Sequence, residues 1–390
     1  MATGRNLSSC TPDMMYLNLT FLTADDIDYV FYSRKDQILI TIILPILLAI
    51  GLTTNGAFLF VFARIRRMRT VTNIYLANLA VADMSFLCLA IGEKIGRYFA
   101  SNIEIDQYGL GSAVGCEVIY CSMECLFYAS IFLVLLVTLE KYYAICRPVR
   151  HRLIAGRKRT LRLITTSWFL AIICGYGLNL PYFFRFYYMC VEFPDLPEYA
   201  DAYNVIAVCF GVSPIVMDIL NGVRTIPFFV ALIWNFVMYW KILKVFNMRV
   251  AAQPQSQQNT AASSQRVKTR NQVARMLIVN GIFFFFLLSP YQFLRIVVMI
   301  TETIGRYLLD TRQYGIVVWV FRVMIYINSI INPIIYNLTN KKYRQAFAQA
   351  LLCRDPRSKK TYPDQTDNTL EDQPNHTERE TVAMQDSKGQ

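Results

Sequence analysis

The chain has 390 residues, of which 55% are hydrophobic and 17% charged, with a positive mean hydropathy of +0.33 and a formal net charge of +12. An average soluble domain carries roughly 25% charged residues, so this composition points to a membrane protein and away from a soluble enzyme. The excess of Lys and Arg falls in short loops between apolar stretches, where it reports membrane topology, and gives nucleic-acid binding little support.

In chain order, residues 1–37 form a polar N-terminal segment containing Asp13, Asp25, Asp26 and Asp28, with no continuous apolar run of the kind a cleavable signal peptide needs. Two glycosylation sequons fall here, at Asn6 and Asn18. A helix needs about 20 apolar residues to cross the bilayer core, and seven such stretches follow. They are centred in Ile38–Phe62, Ile74–Ala90, Val114–Cys146, Leu161–Tyr182, Ile226–Leu243, Val273–Ile300 and Tyr314–Leu338. Together, residues 38–338 are expected to form an all-α membrane domain, a seven-transmembrane helix bundle.

Arg64, Arg66, Arg67 and Arg69 follow the first span, and Arg147, Arg150, Arg152, Arg157, Lys158 and Arg159 follow the third. Arg266, Lys268, Arg270 and Arg275 precede the sixth or lie at its start. The alternate loops lean acidic, with Glu104, Asp106, Glu192, Asp195, Glu198 and Asp201. Positive charge marks cytoplasmic loops, so the predicted topology is multi-pass with the N-terminus outside and the C-terminus inside.

The stretch Ala251–Gln265 is polar and of low complexity, and is predicted to be a flexible linker. Residues 339–353 have apolar side chains at helical spacing and a basic face, as in an amphipathic helix lying on membrane lipid, and Cys353 is placed for palmitoylation. Residues 354–390 are predicted to be a disordered cytoplasmic tail. Its hydroxyls at Ser358, Thr361, Thr366, Thr369, Thr377, Thr381 and Ser387 are candidate phosphorylation sites.

An ionisable residue inside a span is costly and usually faces the bundle interior, so Asp83 reads as functional. With it go Asn328, Asn332, Pro333 and Tyr336 in the seventh stretch. The Asn332-Pro333-Ile334-Ile335-Tyr336 run, with Asp83 upstream, resembles the rhodopsin-like (class A) G-protein-coupled receptors. Asn55, the Asn78–Asp83 run, Trp168 and Pro227 sit where that family has its reference residues.

The resemblance implies a ligand-activated receptor that promotes nucleotide exchange on a heterotrimeric G protein, with no covalent chemistry and no required cofactor. It implies a disulfide between Cys116 and Cys190, and leaves Cys10 and Cys209 as an open second pair. Asp83, Ser130, Asn328, Ser329 and Asn332 resemble the family's sodium pocket; a protonated Asp83 in a neutral network is the alternative. The run Glu140-Lys141-Tyr142 stands where the family places a carboxylate–cation switch, and Asn332, Pro333 and Tyr336 complete that set.

Three departures stand out. Lys141 replaces an arginine, and lacks its planar five-donor fork. Leu288 replaces a tryptophan two residues before Pro290, leaving Phe284 to share in ligand-driven repacking, and Asn235 replaces a tyrosine.

For the ligand, Met123 lies where amine receptors carry an aspartate, and Tyr326 where opsins carry the retinal lysine. Near the mouth stand Glu93, Lys94, Arg97, Glu124, Tyr291, Arg295 and Arg322. Both signs of charge favour a peptide, with Arg295 and Arg322 as donors to a carboxylate or amide carbonyl. Internal bonds from these arginines to Glu93 or Glu124 are the alternative. The run from Arg322 to Pro333 is similar to that of thyrotropin-releasing-hormone-type neuropeptide receptors. A lipid or other small ligand is a second reading, and a transporter a third, although no internal repeat supports the latter.

Overall fold

A computed structural model describes residues 10–11, 14–21, 27, 30–179, 185–199, 204–210, 214–251, 261–305 and 310–351. Asn6, residues 252–260, Cys353 and the tail hydroxyls lie outside the described residues.

Among the described residues, seven helices are long and apolar enough to cross a membrane. They are α1 (Arg34–Arg64), α2 (Val71–Ala100), α3 (Ala113–Cys146), α4 (Arg157–Gly177), α5 (Ile226–Ala251), α6 (Ala261–Thr303) and α7 (Thr311–Thr339). Several starts are fixed by side chains that accept from otherwise orphaned backbone N–H groups. Ser33 and Asp36 form a reciprocal capping box on α1, Thr70 caps α2, Ser112 caps α3 and Asp310 caps α7. An eighth helix, α8 (Lys341–Leu351), buries Tyr343, Ala346 and Ala350, the apolar face read from the sequence.

α6 begins at Ala261, so residues 261–265 of the predicted linker are helical. The segment Ala-Ala-Ser-Ser-Gln has neither Gly nor Pro to stop a helix, and its alanines favour one. Close helix contact is set in one place by glycine. A Cβ on Gly175 of α4 would lie 2.6 Å from the backbone of Cys125 on α3, so any side chain there would push the two helices apart.

One end of the bundle carries a small sheet that the all-helical reading did not foresee. Its strands are β1 (Met15–Asn18), β2 (Arg185–Glu192) and β3 (Val205–Phe210), in the order β1-β2-β3. β2 and β3 pair antiparallel, while β1 lies parallel to β2 with Tyr16 opposite Cys190. Beneath them a separate apolar core gathers Leu19, Ile27, Val30, Ile103, Met189, Val191, Ile206 and Val208. Asn18 closes β1, and its Oδ1 accepts hydrogen bonds from the backbone N and the hydroxyl of Thr20.

The sheet register corrects the disulfide expectation. Cys116 is bonded to Cys209, and Cys190 to Cys10. In the β2–β3 hairpin Cys209 stands opposite Phe186, four residues along the strand from Cys190. At about 3.3 Å per residue that separates the two cysteines by roughly 13 Å. A disulfide needs Cα atoms within about 7 Å, so the cysteine held against the start of α3 is the one that bonds Cys116. That cysteine is Cys209, whose N–H donates to Gln107 Oε1 at 2.5 Å. Cys190 instead lies beside β1, within reach of Cys10.

Candidate functional site

Below the sheet, α2, α3, α6 and α7 enclose a cavity of about 460 Å³. Glu93 from α2, Met123 and Glu124 from α3, Tyr291 and Arg295 from α6, and Arg322 and Tyr326 from α7 all line it. Thus every residue singled out in sequence as a ligand contact lies on one wall or another. Pro290 and Pro333 lie inside α6 and α7, which continue through them.

The arginines differ in their commitments. Arg295 Nη2 donates to Glu124 Oε1 at 2.9 Å, with both side chains largely buried, and its guanidinium lies 5.8 Å from the Tyr291 ring centre. The internal ion-pair alternative therefore holds for Arg295. Arg322 stacks 5.6 Å from the Trp319 ring centre and has no carboxylate within 4.0 Å among the described residues. Glu93 is a hub: Lys94 Nζ lies 2.8 Å from its Oε2, and Arg97 Nη1 and the Tyr120 hydroxyl approach its Oε1 at 3.1 and 3.4 Å.

Sequence reasoning missed Gln107, Tyr120 and Arg224. Gln107 joins the loop after α2 to both β3 and α3, donating from its backbone to Ala207 O at 2.7 Å and from its side chain to the Tyr120 hydroxyl at 2.9 Å. A polar residue in a short loop carries no signal of that role. Arg224, three residues before Pro227, also lines the cavity, and a cation beside an apolar span was a readable hint.

Midway along the bundle, Asp83 is buried. Ser130 Oγ donates to its Oδ1 at 3.0 Å and Asn332 Nδ2 to its Oδ2 at 2.8 Å. Asn55 Nδ2 donates to the Ser329 carbonyl at 2.9 Å, tying α1 to α7. Asn328 Oδ1 is buried without a hydrogen-bond donor among the described residues. Trp168 donates to Asn78 at 3.3 Å, which explains both reference residues together.

At the opposite end the expected Glu140–Lys141 pair is not made. Glu140 accepts from His151 Nε2 at 2.7 Å and from Arg159 Nη1 at 3.2 Å, while Lys141 Nζ donates to Thr72 Oγ1 at 2.6 Å. Neighbouring residues on a helix point about 100° apart and do not face each other. Glu140 therefore meets the short helix Pro148–Ile154 and the start of α4, and Lys141 meets the start of α2. Tyr142 packs edge-on to Tyr143, 5.7 Å between ring centres, with the Lys241 ammonium 5.9 Å from its ring centre.

Tyr336 is buried between Phe58 and Tyr343, at 5.8 and 5.7 Å, and its hydroxyl has no hydrogen-bond partner among the described residues. Asn235 turns its amide back onto its own helix, donating to Ala231 O at 2.9 Å. One turn later Tyr239 supplies the phenol that position lacks, bonding Thr138 Oγ1 on α3 at 2.9 Å. Leu288 and Phe284 are both buried, and Phe284 packs edge-on to Phe285 at 5.2 Å.

A bundle of seven membrane-length helices, with a mixed-charge cavity at one end and a cluster of charge at the other joined by a polar core, is the architecture of a membrane receptor. The family described as 7 transmembrane receptor (rhodopsin family) matches residues 54–336, and the chain belongs to it. It is a G-protein-coupled receptor and a multi-pass protein of the plasma membrane. Similar proteins include the thyrotropin-releasing hormone receptor of Gallus gallus, 27% identical over 85% of this chain and 82% of the relative. The receptor of that name in Homo sapiens is 27% identical over 83% and 80%. The growth hormone secretagogue receptor type 1 of Sus scrofa is 26% identical over 78% of each chain.

Proposed function

We propose that this receptor binds a short peptide in the cavity beneath the sheet, at the extracellular end, and on binding promotes nucleotide exchange on a heterotrimeric G protein at the cytosolic end. The observation that carries the reading is the buried Arg295–Glu124 pair beside Arg322, in a cavity of about 460 Å³. The pair holds both groups in place while Glu124 Oε2 stays buried without a partner among the described residues, an acceptor that a peptide N–H would satisfy and a lipid tail would leave unpaired at a cost. The thyrotropin-releasing hormone receptors among its relatives support a peptide-hormone class. The orientation rests on the arginine-rich loops at the end that carries Glu140.

The test is a peptide library applied to cells expressing the chain, read as calcium, cyclic nucleotide and GTP exchange. Activation by lipids alone would sink the peptide assignment. Once a peptide agonist is found, Arg322→Ala at equal surface expression is expected to lower potency by 2 to 5 kcal/mol, roughly thirtyfold to several thousandfold.

Two further roles belong to the same reading. Asp83 with the orphaned Asn328 Oδ1 and the hydroxyls of Ser130 and Ser329 form an all-oxygen donor set suited to a hard cation, and a sodium ion there would offset the buried carboxylate. Asp83→Asn should remove any sodium dependence of agonist affinity. Phosphorylation of the tail by a receptor kinase would create an arrestin site, so truncation after Cys353 should reduce agonist-driven arrestin recruitment with surface expression unchanged. Palmitate on Cys353 and sugars on Asn6 and Asn18 complete the proposed modifications.

A further inference from the structure

A second cavity of about 410 Å³ adjoins the first, and the two share Lys94, Gln107, Tyr120, Cys209 and Arg322. Its remaining walls include Tyr32, Glu104 and Trp319. Three cations face this chamber with unequal compensation. Arg97 is fully engaged: Nη1 donates to Glu93 Oε1 at 3.1 Å, Nε to Asp106 O at 3.2 Å, and Nη2 to the Glu104 carbonyl. Lys94 shares the same Glu93 carboxylate, 2.8 Å from its other oxygen. Arg322 lies against the Trp319 ring and is hydrogen-bonded with Tyr291, and among the described residues no carboxylate lies within 4.0 Å of it.

Two carboxylates, Glu93 and Glu104, thus face three cations, and Arg322 is the cation that forms a salt bridge with neither. Burial, reinforced by the Asp36 carboxylate, pushes the Glu104 carboxyl up from its ordinary value, and Arg97, Lys94 and Arg322 act in the opposite direction. Lys94 and Arg322 both line the opening between the chambers. Arg322 offers a planar fork and Lys94 a point charge, the complement of a carboxylate.

We propose that the Lys94–Arg322 opening is a carboxylate subsite, and that the ligand spans both chambers with an acidic group there and an apolar or aromatic group toward Trp319 and Tyr32. The inference deepens the peptide reading and rests on it. The acid is either a C-terminal carboxylate or the side chain of Asp or Glu, since both present the same two oxygens.

Two measurements test this separately from the peptide reading. In the first, the purified full-length receptor is thermally unfolded with millimolar N-acetylphenylalanine or its neutral amide. A ligand that binds only the folded state raises the midpoint. The acid should raise it and the amide should not. R322Q should abolish the difference, K94Q should weaken it, and R322K should retain part of it, which guards against a variant that simply misfolds. Equal responses to acid and amide, or a preference that survives R322Q, would overturn the subsite.

In the second, matched peptide pools are compared on cells: free-acid against amidated termini, and Asp or Glu against Asn or Gln. A potency gain of roughly thirtyfold or more for the free acid would identify the terminus, and the same gain for Asp or Glu the side chain. Active peptides with neither preference would overturn the subsite and leave the peptide reading standing. No active peptide, with the thermal preference for the acid intact, would do the reverse.

Discussion

At the sheet-bearing end, Arg295 is held 2.9 Å from Glu124, and Glu93 gathers Lys94 and Arg97, beneath a sheet stapled by two disulfides. At the opposite end Glu140 gives its two oxygens to His151 and Arg159 from the following segment, while Lys141 rests on the neutral hydroxyl of Thr72. The first arrangement fixes cations in place by charge and covalent bonds. The second leaves one cation held by a hydrogen bond to an uncharged hydroxyl, worth about 1.5–3 kcal/mol, with no carboxylate bonded to it among the described residues. Under the proposed function the first end would hold a preformed ligand cavity and the second would release a cation to a partner, opposite demands on the same chemistry.

The largest expected effect is at the loosely held cation. Lys141→Gln should reduce agonist-stimulated GTP exchange to background while preserving ligand affinity, and Lys141→Arg should retain coupling because the charge remains. Full exchange in Lys141→Gln at matched expression would erase the contrast between the two ends.

Next comes the fixed pair. Arg295→Met leaves Glu124 as a buried lone carboxylate and should cost about 3–5 kcal/mol of stability, read as a lower unfolding midpoint of the purified receptor. The double variant Glu124→Leu, Arg295→Met removes both charges and should recover most of that loss without recovering agonist potency. Recovery of potency as well would show the pair to be scaffolding alone.

Smaller, at about 2–4 kcal/mol for each bond, are the effects of Cys209→Ser and Cys10→Ser. Cys209→Ser should be the more damaging to ligand response, because that bond ties the sheet to α3 at the cavity, whereas β1 is also held by its pairing to β2. Peptide mapping under non-reducing conditions should recover Cys10 with Cys190 and Cys116 with Cys209. A Cys116–Cys190 fragment would contradict the register of the hairpin.

The smallest effect sharpens the description of the switch end. Tyr239→Phe removes one hydrogen bond to Thr138, and should change basal exchange by about 1 kcal/mol, or roughly fivefold. Thr138→Val should have little further effect in that background, since both changes delete the same contact. Additive effects in the double variant would mean the two groups act independently.

The bundle was legible because its signals are local. Twenty-residue apolar runs, arginines in alternate loops and polar residues at Asp83, Asn328 and Asn332 each carry their meaning within a few residues. The cavity-lining set was legible too, because Arg295 follows Pro290 by just over one turn and Arg322 precedes Tyr326 by one turn. Even the eighth helix declared itself by spacing alone.

Pairings between distant segments were not written in that way. Which cysteine bonds Cys116 depends on the β2–β3 register, a long-range alignment in which Cys190 and Cys209 are equivalent until the strands are laid side by side. Whether Glu140 meets Lys141 or His151 depends on the direction each side chain leaves the helix and on where the following short helix turns. Composition and periodicity determined that this chain crosses the membrane seven times with a polar core. Tertiary structure decided which charges are neutralised and which are left for a ligand or a partner, because electrostatic compensation is settled over a few ångströms between groups that stand far apart in sequence.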